Sequence, residues 1–170
     1  MPIHVFVDET KSRGFLMAAA RCEAGDVAVH RKALRALLLP GQERLHFRHE
    51  TDARRKKIIK VISGFHILVD LYYADRDTAI SRRRCLEAIV RDAAGTAELL
   101  RIERDESTID HDKQVLHAAV ERHGCFDLRW ELLVPKADPL LWIPDAIAWA
   151  WMHGGNWRRL VAAFSQLRDL

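Results

Sequence analysis

The chain has 170 residues, 49% of them hydrophobic and 30% charged, with a formal net charge of +3. That balance suits one globular domain, residues 1–170, with a sizeable core, and it excludes a disordered chain. The net charge is too small to attract a nucleic acid by itself, so such a partner would need a local basic patch.

Ile3-His4-Val5-Phe6-Val7-Asp8 has the β-branched and aromatic content of a strand. Side chains alternate along a strand, so Asp8 shares a face with His4 and Phe6, and Glu9 points the other way. An acid at the end of a central strand is costly to desolvate unless it is hydrated, paired or bound to a metal. An Asp in this position also starts turns. After the turn at Lys11-Ser12-Arg13-Gly14, Phe15 to Cys22 forms an apolar run. A second strand, antiparallel to the first, is expected there, although Ala18-Ala19-Ala20 also suits a helix. Val27 to Leu39 has helical spacing and stops at Pro40-Gly41.

Leu45 to Glu50 is expected to be a short extended piece. Thr51 can cap the following helix, Ala53 to Ile62, with Asp52 at its positive end. Phe65 to Tyr73 has the near-continuous apolar character of a strand buried on both faces. The spacing then predicts a helix over Thr78 to Ala94, a strand over Ala97 to Glu103, a helix over Asp110 to His123 and a strand over Phe126 to Val134. A loop, Pro135 to Asp138, leads to a Trp-rich helical segment, Pro139 to His153, and a final helix from Trp157 to Leu167. Alternating strands and helices predict an α/β mixed sheet covered on both faces.

Three acids fall at comparable places. Asp8 and Glu103 end strands, and Asp145 opens the Trp-rich helix on the same face as Trp142, Trp149 and Met152. Each also has a simpler explanation. Glu103 can pair with an arginine such as Arg101, and Asp145, following Pro144, can complement the helix dipole. Glu9, Glu50 and Asp105 are further acids near these positions, and His46 is either a proton shuttle or a structural histidine.

Val7-Asp8-Glu9-Thr10 resembles the hydrophobic-Asp-Glu-Ser opening of the ribonuclease H-like family catalogued as domain of unknown function 3800. Leu45-His46-Phe47 with Glu50 is similar to that family's His-Phe element, and Leu100 to Arg104 to its later acid-ended strand. Pro139 to Ala150 is similar to its closing Leu-Gln-x-Ala-Asp-x-x-Ala element, with Trp142 near the usual Gln and Pro144 before the Asp. The resemblance implies a ribonuclease H-like sheet in which Asp8, Glu103 and Asp145 meet around Mg2+ or Mn2+, with Glu50 and Asp105 as weaker metal candidates and Glu9 as a further catalytic candidate. Hard divalent cations prefer such oxygen donors, and a pair of them suits phosphodiester hydrolysis. The three carboxylates are therefore expected to converge within reach of a shared ion.

For a phosphate backbone, Arg48, Arg54, Arg55 and Lys57, with Lys56 and Lys60, form one dense basic group, and Arg82-Arg83-Arg84 another. Such runs are also ordinary solvated helix faces. A metal-dependent nuclease is therefore expected, with two alternatives: a catalytically silent ribonuclease H-like module binding nucleic acid or protein, and a hydrolase of a small phosphorylated substrate. The tryptophans can supply an interface, including one within a homo-oligomer. There is no His-Glu-x-x-His pair, Gly-x-Ser-x-Gly elbow or phosphate-loop fingerprint. Three scattered cysteines, and no leader or spanning stretch, predict a cytoplasmic protein with reduced thiols and no membrane partner.

Overall fold

The alternation at the start of the chain produces a hairpin. In the computed structural model, which describes residues 1–170, β1 spans Ile3–Thr10 and β2 spans Phe15–Glu23. Their turn places Arg13 and Gly14 at φ 60° and 118°. A Cβ at Gly14 would lie 3.0 Å from the Ala74 carbonyl and the Tyr73 ring, so the close approach of the neighbouring strand requires glycine there. The Ala-rich run of β2 is a strand and not a helix.

The chain continues through α1 (Val27–Arg35), α2 (Asp52–Ser63), β3 (Leu68–Ala74), α3 (Ala79–Ala93), β4 (Ala97–Glu103), α4 (Ile109–His123) and β5 (Arg129–Leu133). It closes with α5 (Trp142–His153), α6 (Gly155–Ala162) and β6 (Ser165–Arg168). Thr51 and Thr78 cap α2 and α3 by accepting hydrogen bonds from Arg54 N–H and Ser81 N–H. No helix is long and apolar enough to cross a membrane.

The sheet order is β5-β4-β1-β2-β3-β6. β1, β2 and β3 form an antiparallel meander. β4 returns to the free side of β1 and runs parallel to it, and β5 lies parallel to β4. One face carries Phe6, Leu16, Ala18 and Ala20 under α1, α2, α5 and α6; the other carries Val5, Val7, Leu100 and Ile102 under α3 and α4. Ala18 and Ala20 meet a helix whose own Ala146 and Ala150 are buried, so small side chains on both elements allow close approach. The larger α5 side chains, Trp142, Ile143 and Ile147, are also buried, each contributing about 1.5–3 kcal/mol.

Four expectations need correction. Leu45 to Glu50 is not extended: Phe47–His49 forms a 3-10 turn that buries the Phe47 ring against Trp149, with centroids 5.2 Å apart. The final helix ends at Ala162, because the chain then reverses to add β6 alongside β3. β3 starts at Leu68, two residues after His66 adopts φ 55°. β5 starts at Arg129, leaving Phe126 exposed.

On the α3–α4 face, buried Arg82 donates to both oxygens of fully buried Asp112 at 2.7 Å and pairs with Glu9 at 2.9 Å. This ties the end of β1 to two helices. Arg82→Met should cost about 3–5 kcal/mol in urea unfolding, since it strands two buried carboxylates.

Candidate active site

The parallel pairing of β1 and β4 sets Phe6 opposite Arg101 and Val7 opposite Ile102. One residue further along, Asp8 comes beside Glu103, on the face covered by α5. The two carboxyls share a hydrogen bond. Asp8 also accepts the Glu9 N–H at 2.7 Å. Asp145 stands in the first turn of α5, where it accepts the Phe47 N–H at 3.2 Å. The 3-10 turn at Phe47 thus positions the third acid, which acts electrostatically on both strand acids.

Burial pushes the Asp8 carboxyl well above its ordinary range, and Glu103, Asp145 and Glu9 push it further. Burial raises Glu103 to about 7, with Asp145 and Glu9 adding to the rise and the Asp8 hydrogen bond and Arg44 opposing it. Asp145 is raised by burial, against the pull of the Phe47 N–H, Arg44 and His49. No Lys, Arg or His nitrogen lies within 4.0 Å of any of these three carboxylates.

The other buried acids differ. Asp112 holds Arg82, Asp138 holds Arg31 and Arg101, Glu50 holds Arg54, and Asp70 holds Arg21. Asp8 is the one buried acid without a cation, and its hydrogen-bonded neighbour Glu103 has none either. Two carboxylates in contact cannot both ionise unless a positive charge arrives. The donor set, all carboxylate oxygen at a strand end, is what Mg2+ or Mn2+ takes. It is not a ready-made cage, for no three His, Cys, Asp or Glu side chains are grouped to hold an ion. The arrangement is a touching pair with a third acid at longer range.

The remaining sequence candidates go elsewhere. Glu9 points to the opposite face and is held by Arg82. Glu50 accepts from Gln42 and Arg54. Asp105 bonds Ser107 and Lys11, and those bonds hold it down to about 2. Among the basic residues, Arg54 reaches the Leu37 carbonyl, and Arg55 bonds the Phe47 and Arg48 carbonyls while lying 4.3 Å over the Trp149 ring. Both serve the fold, as does Arg82. Arg48 and Lys57 are exposed.

His46 sits 2.8 Å from Arg44, and burial and that cation keep its pKa below the usual histidine value. Arg101 pairs with Glu131 and Asp138 and not with Glu103. Arg44, the cation nearest in effect to the acids, escaped the sequence reading because it lies in a loop with no periodicity.

No protein-family model matches the chain, and no curated protein matches it. Among solved structures it is similar to a chain in the structure of the PCNA:RNase HII complex from Archaeoglobus fulgidus, with 15% identity and a TM-score of 0.62 over 95% of this chain and 78% of that one. It is also similar to a mutant of Bst-RNase HIII, with 14% identity and a TM-score of 0.47 over 94% of this chain and 62% of that one. The fold is accordingly an α/β, ribonuclease H-like mixed sheet with helices on both faces.

The folded carboxyls keep protons that the unfolded chain releases. Stability from this site is therefore greatest at low pH and is lost as pH rises from the ordinary carboxylate range toward about 7. In chelator, Asp8→Asn should flatten that part of the urea-midpoint profile and raise the midpoint at neutral pH relative to the parent chain.

Proposed function

We propose that the chain is a single-domain, divalent-metal-dependent phosphodiesterase of the ribonuclease H-like type, acting on nucleic acid in the cytoplasm. The observation that carries this reading is the contact between two buried acids, Asp8 and Glu103, with no cation of the protein's own. The fold supports it, and so do the opening Val7-Asp8-Glu9-Thr10 and the Pro144-Asp145-Ala146 of α5, on which membership of the domain-of-unknown-function 3800 family is also proposed.

Asp8 and Glu103 would hold Mg2+ or Mn2+ between them, with Asp145 completing the set from α5. A hard divalent cation supplies hydroxide at neutral pH and offsets charge on the leaving oxygen. The chain's own residues prepare the place. β1 and β4 fix the two acids side by side, the Phe47 N–H aims Asp145, and Arg44 lies close enough to meet an incoming phosphate.

The absence of a three-donor cage favours a second reading, a ribonuclease H-like module that binds without cleaving. The two separate on metal binding and turnover. If the site takes an ion, Mg2+ or Mn2+ at about a hundred times its Kd should stabilise the protein by about 2.7 kcal/mol. Asp8→Asn and Glu103→Gln should abolish that gain. Labelled RNA, DNA and hybrid oligonucleotides should be cut in Mn2+ or Mg2+, with Asp8→Asn and Asp145→Asn reduced to background. Metal-independent stability together with intact oligonucleotides would leave the silent module; cleavage of mononucleotides alone would point to a small phosphorylated substrate.

A further inference from the structure

Beside the acids lies a concave site of about 420 Å3 whose lining contains no Asp or Glu. It is built from three segments that also build the acid site. Thr10 is two residues beyond Asp8 on the same strand, Arg48 follows the Phe47 whose N–H holds Asp145, and Trp149 is one helical turn beyond Asp145.

Three cations reach it. Lys11 at the rim is partly engaged by Asp105 at 3.1 Å. Arg13 and Arg48 are exposed, and neither is in an ion pair. This sets them apart from Arg54, Arg55 and Arg82, which the fold consumes. Arg13 also holds φ 60°, a conformation that favours glycine, so an arginine there carries a backbone cost that its side chain's role can offset. Opposite the cations stands an aromatic wall. The exposed His153 ring lies flat on Trp149 with centroids 4.4 Å apart and planes 13° apart, and Arg55 covers the other side of Trp149.

Resting on the function proposed above, we propose that this pocket holds one nucleotide of a single-stranded segment of the substrate. Its phosphate lies between Arg13 and Arg48 and its base against the His153–Trp149 stack. The concavity selects the strand type. A duplex presents phosphates on its outside and keeps its bases stacked within, whereas a single strand can splay a base onto an aromatic platform beside a cationic track. A small phosphorylated substrate would fill one pocket or the other. A strand is long enough to span this pocket and the acids together.

The test separates binding from cleavage. Fluorescein-labelled single-stranded and duplex oligonucleotides of equal length are titrated in chelator against the Asp8→Asn chain, with and without Arg13→Gly plus Arg48→Ala, and with His153→Ala. Glycine suits the backbone at position 13, so the double variant should fold, which its urea midpoint checks. The single strand should bind more tightly than the duplex. The double variant should weaken it at least tenfold and lower the salt slope by about 1.4, as expected for two lost phosphate contacts on a single strand. His153→Ala should weaken a base-bearing strand about tenfold and an abasic strand little.

Equal binding of duplex and single strand, or binding indifferent to both arginines, overturns the proposal. If the intact chain cleaves oligonucleotides with KM unchanged in the double variant, the pocket assignment fails and the phosphodiesterase stands. Arginine- and His153-dependent single-strand binding without cleavage supports the pocket and removes the phosphodiesterase.

Discussion

The parallel pairing of β1 with β4 is the constraint on which the site depends. Backbone hydrogen bonding fixes the register, and the register sets Asp8 against Glu103 whatever those side chains would prefer. Like charges side by side in neighbouring strands work against the sheet. The sheet holds because β1 is central, with β4 on one side, β2 on the other, and buried side chains on both faces. The unfavourable contact is a small loss set against a large apolar core. The same strand shows the contrast one residue on. Glu9, on the other face, meets Arg82 within a fully paired network. The chain thus has the means to neutralise a buried acid at this strand end, and uses them on one face only.

The legible parts of the fold were those set by short-range chemistry. Period-two alternation in Ile3 to Asp8 gave both the strand and the opposite pointing of Asp8 and Glu9. Thr51 and Thr78 marked helix starts because a hydroxyl oxygen caps free N–H groups wherever the next residues turn. What stayed hidden was set by partners far away in sequence. Phe47 looks extended among Leu45 and His46, yet it turns because its ring has a site against Trp149 and its N–H has one on Asp145. Ser165 to Arg168 continues a helical pattern on paper, and becomes a strand because β3 offers an open edge.

The same division runs through the charged residues. The basic run in α2 has the composition of a phosphate track, but Arg54 and Arg55 spend their donors on carbonyls, Glu50, Asp52 and an aromatic face. Arginine has enough donors, in a planar fork, to bind several internal acceptors at once, so composition cannot distinguish a structural arginine from a recognising one. Pairing can. Once each internal ion pair is assigned, Arg13 and Arg48 remain, and they are separated by 35 positions that no periodicity connects.

α5 joins the two halves of the site. Its buried side holds Ile143, Ala146, Ile147 and Ala150 against the sheet, which fixes the rotation of the helix. With that rotation set, Asp145 is directed to the strand acids and Trp149, one turn on, to the neighbouring pocket. The β1–β2 hairpin couples the same two places from the other side, with Asp8 before the turn and Arg13 within it. Carboxylates and cations so mounted cannot approach and neutralise one another without unpacking the helix or reshaping the turn. A separation of unlike charges that folding would otherwise collapse is kept open by packing. That leaves the acids free for a cation and the arginines free for an anion, the two charges that a metal-bound phosphate brings together.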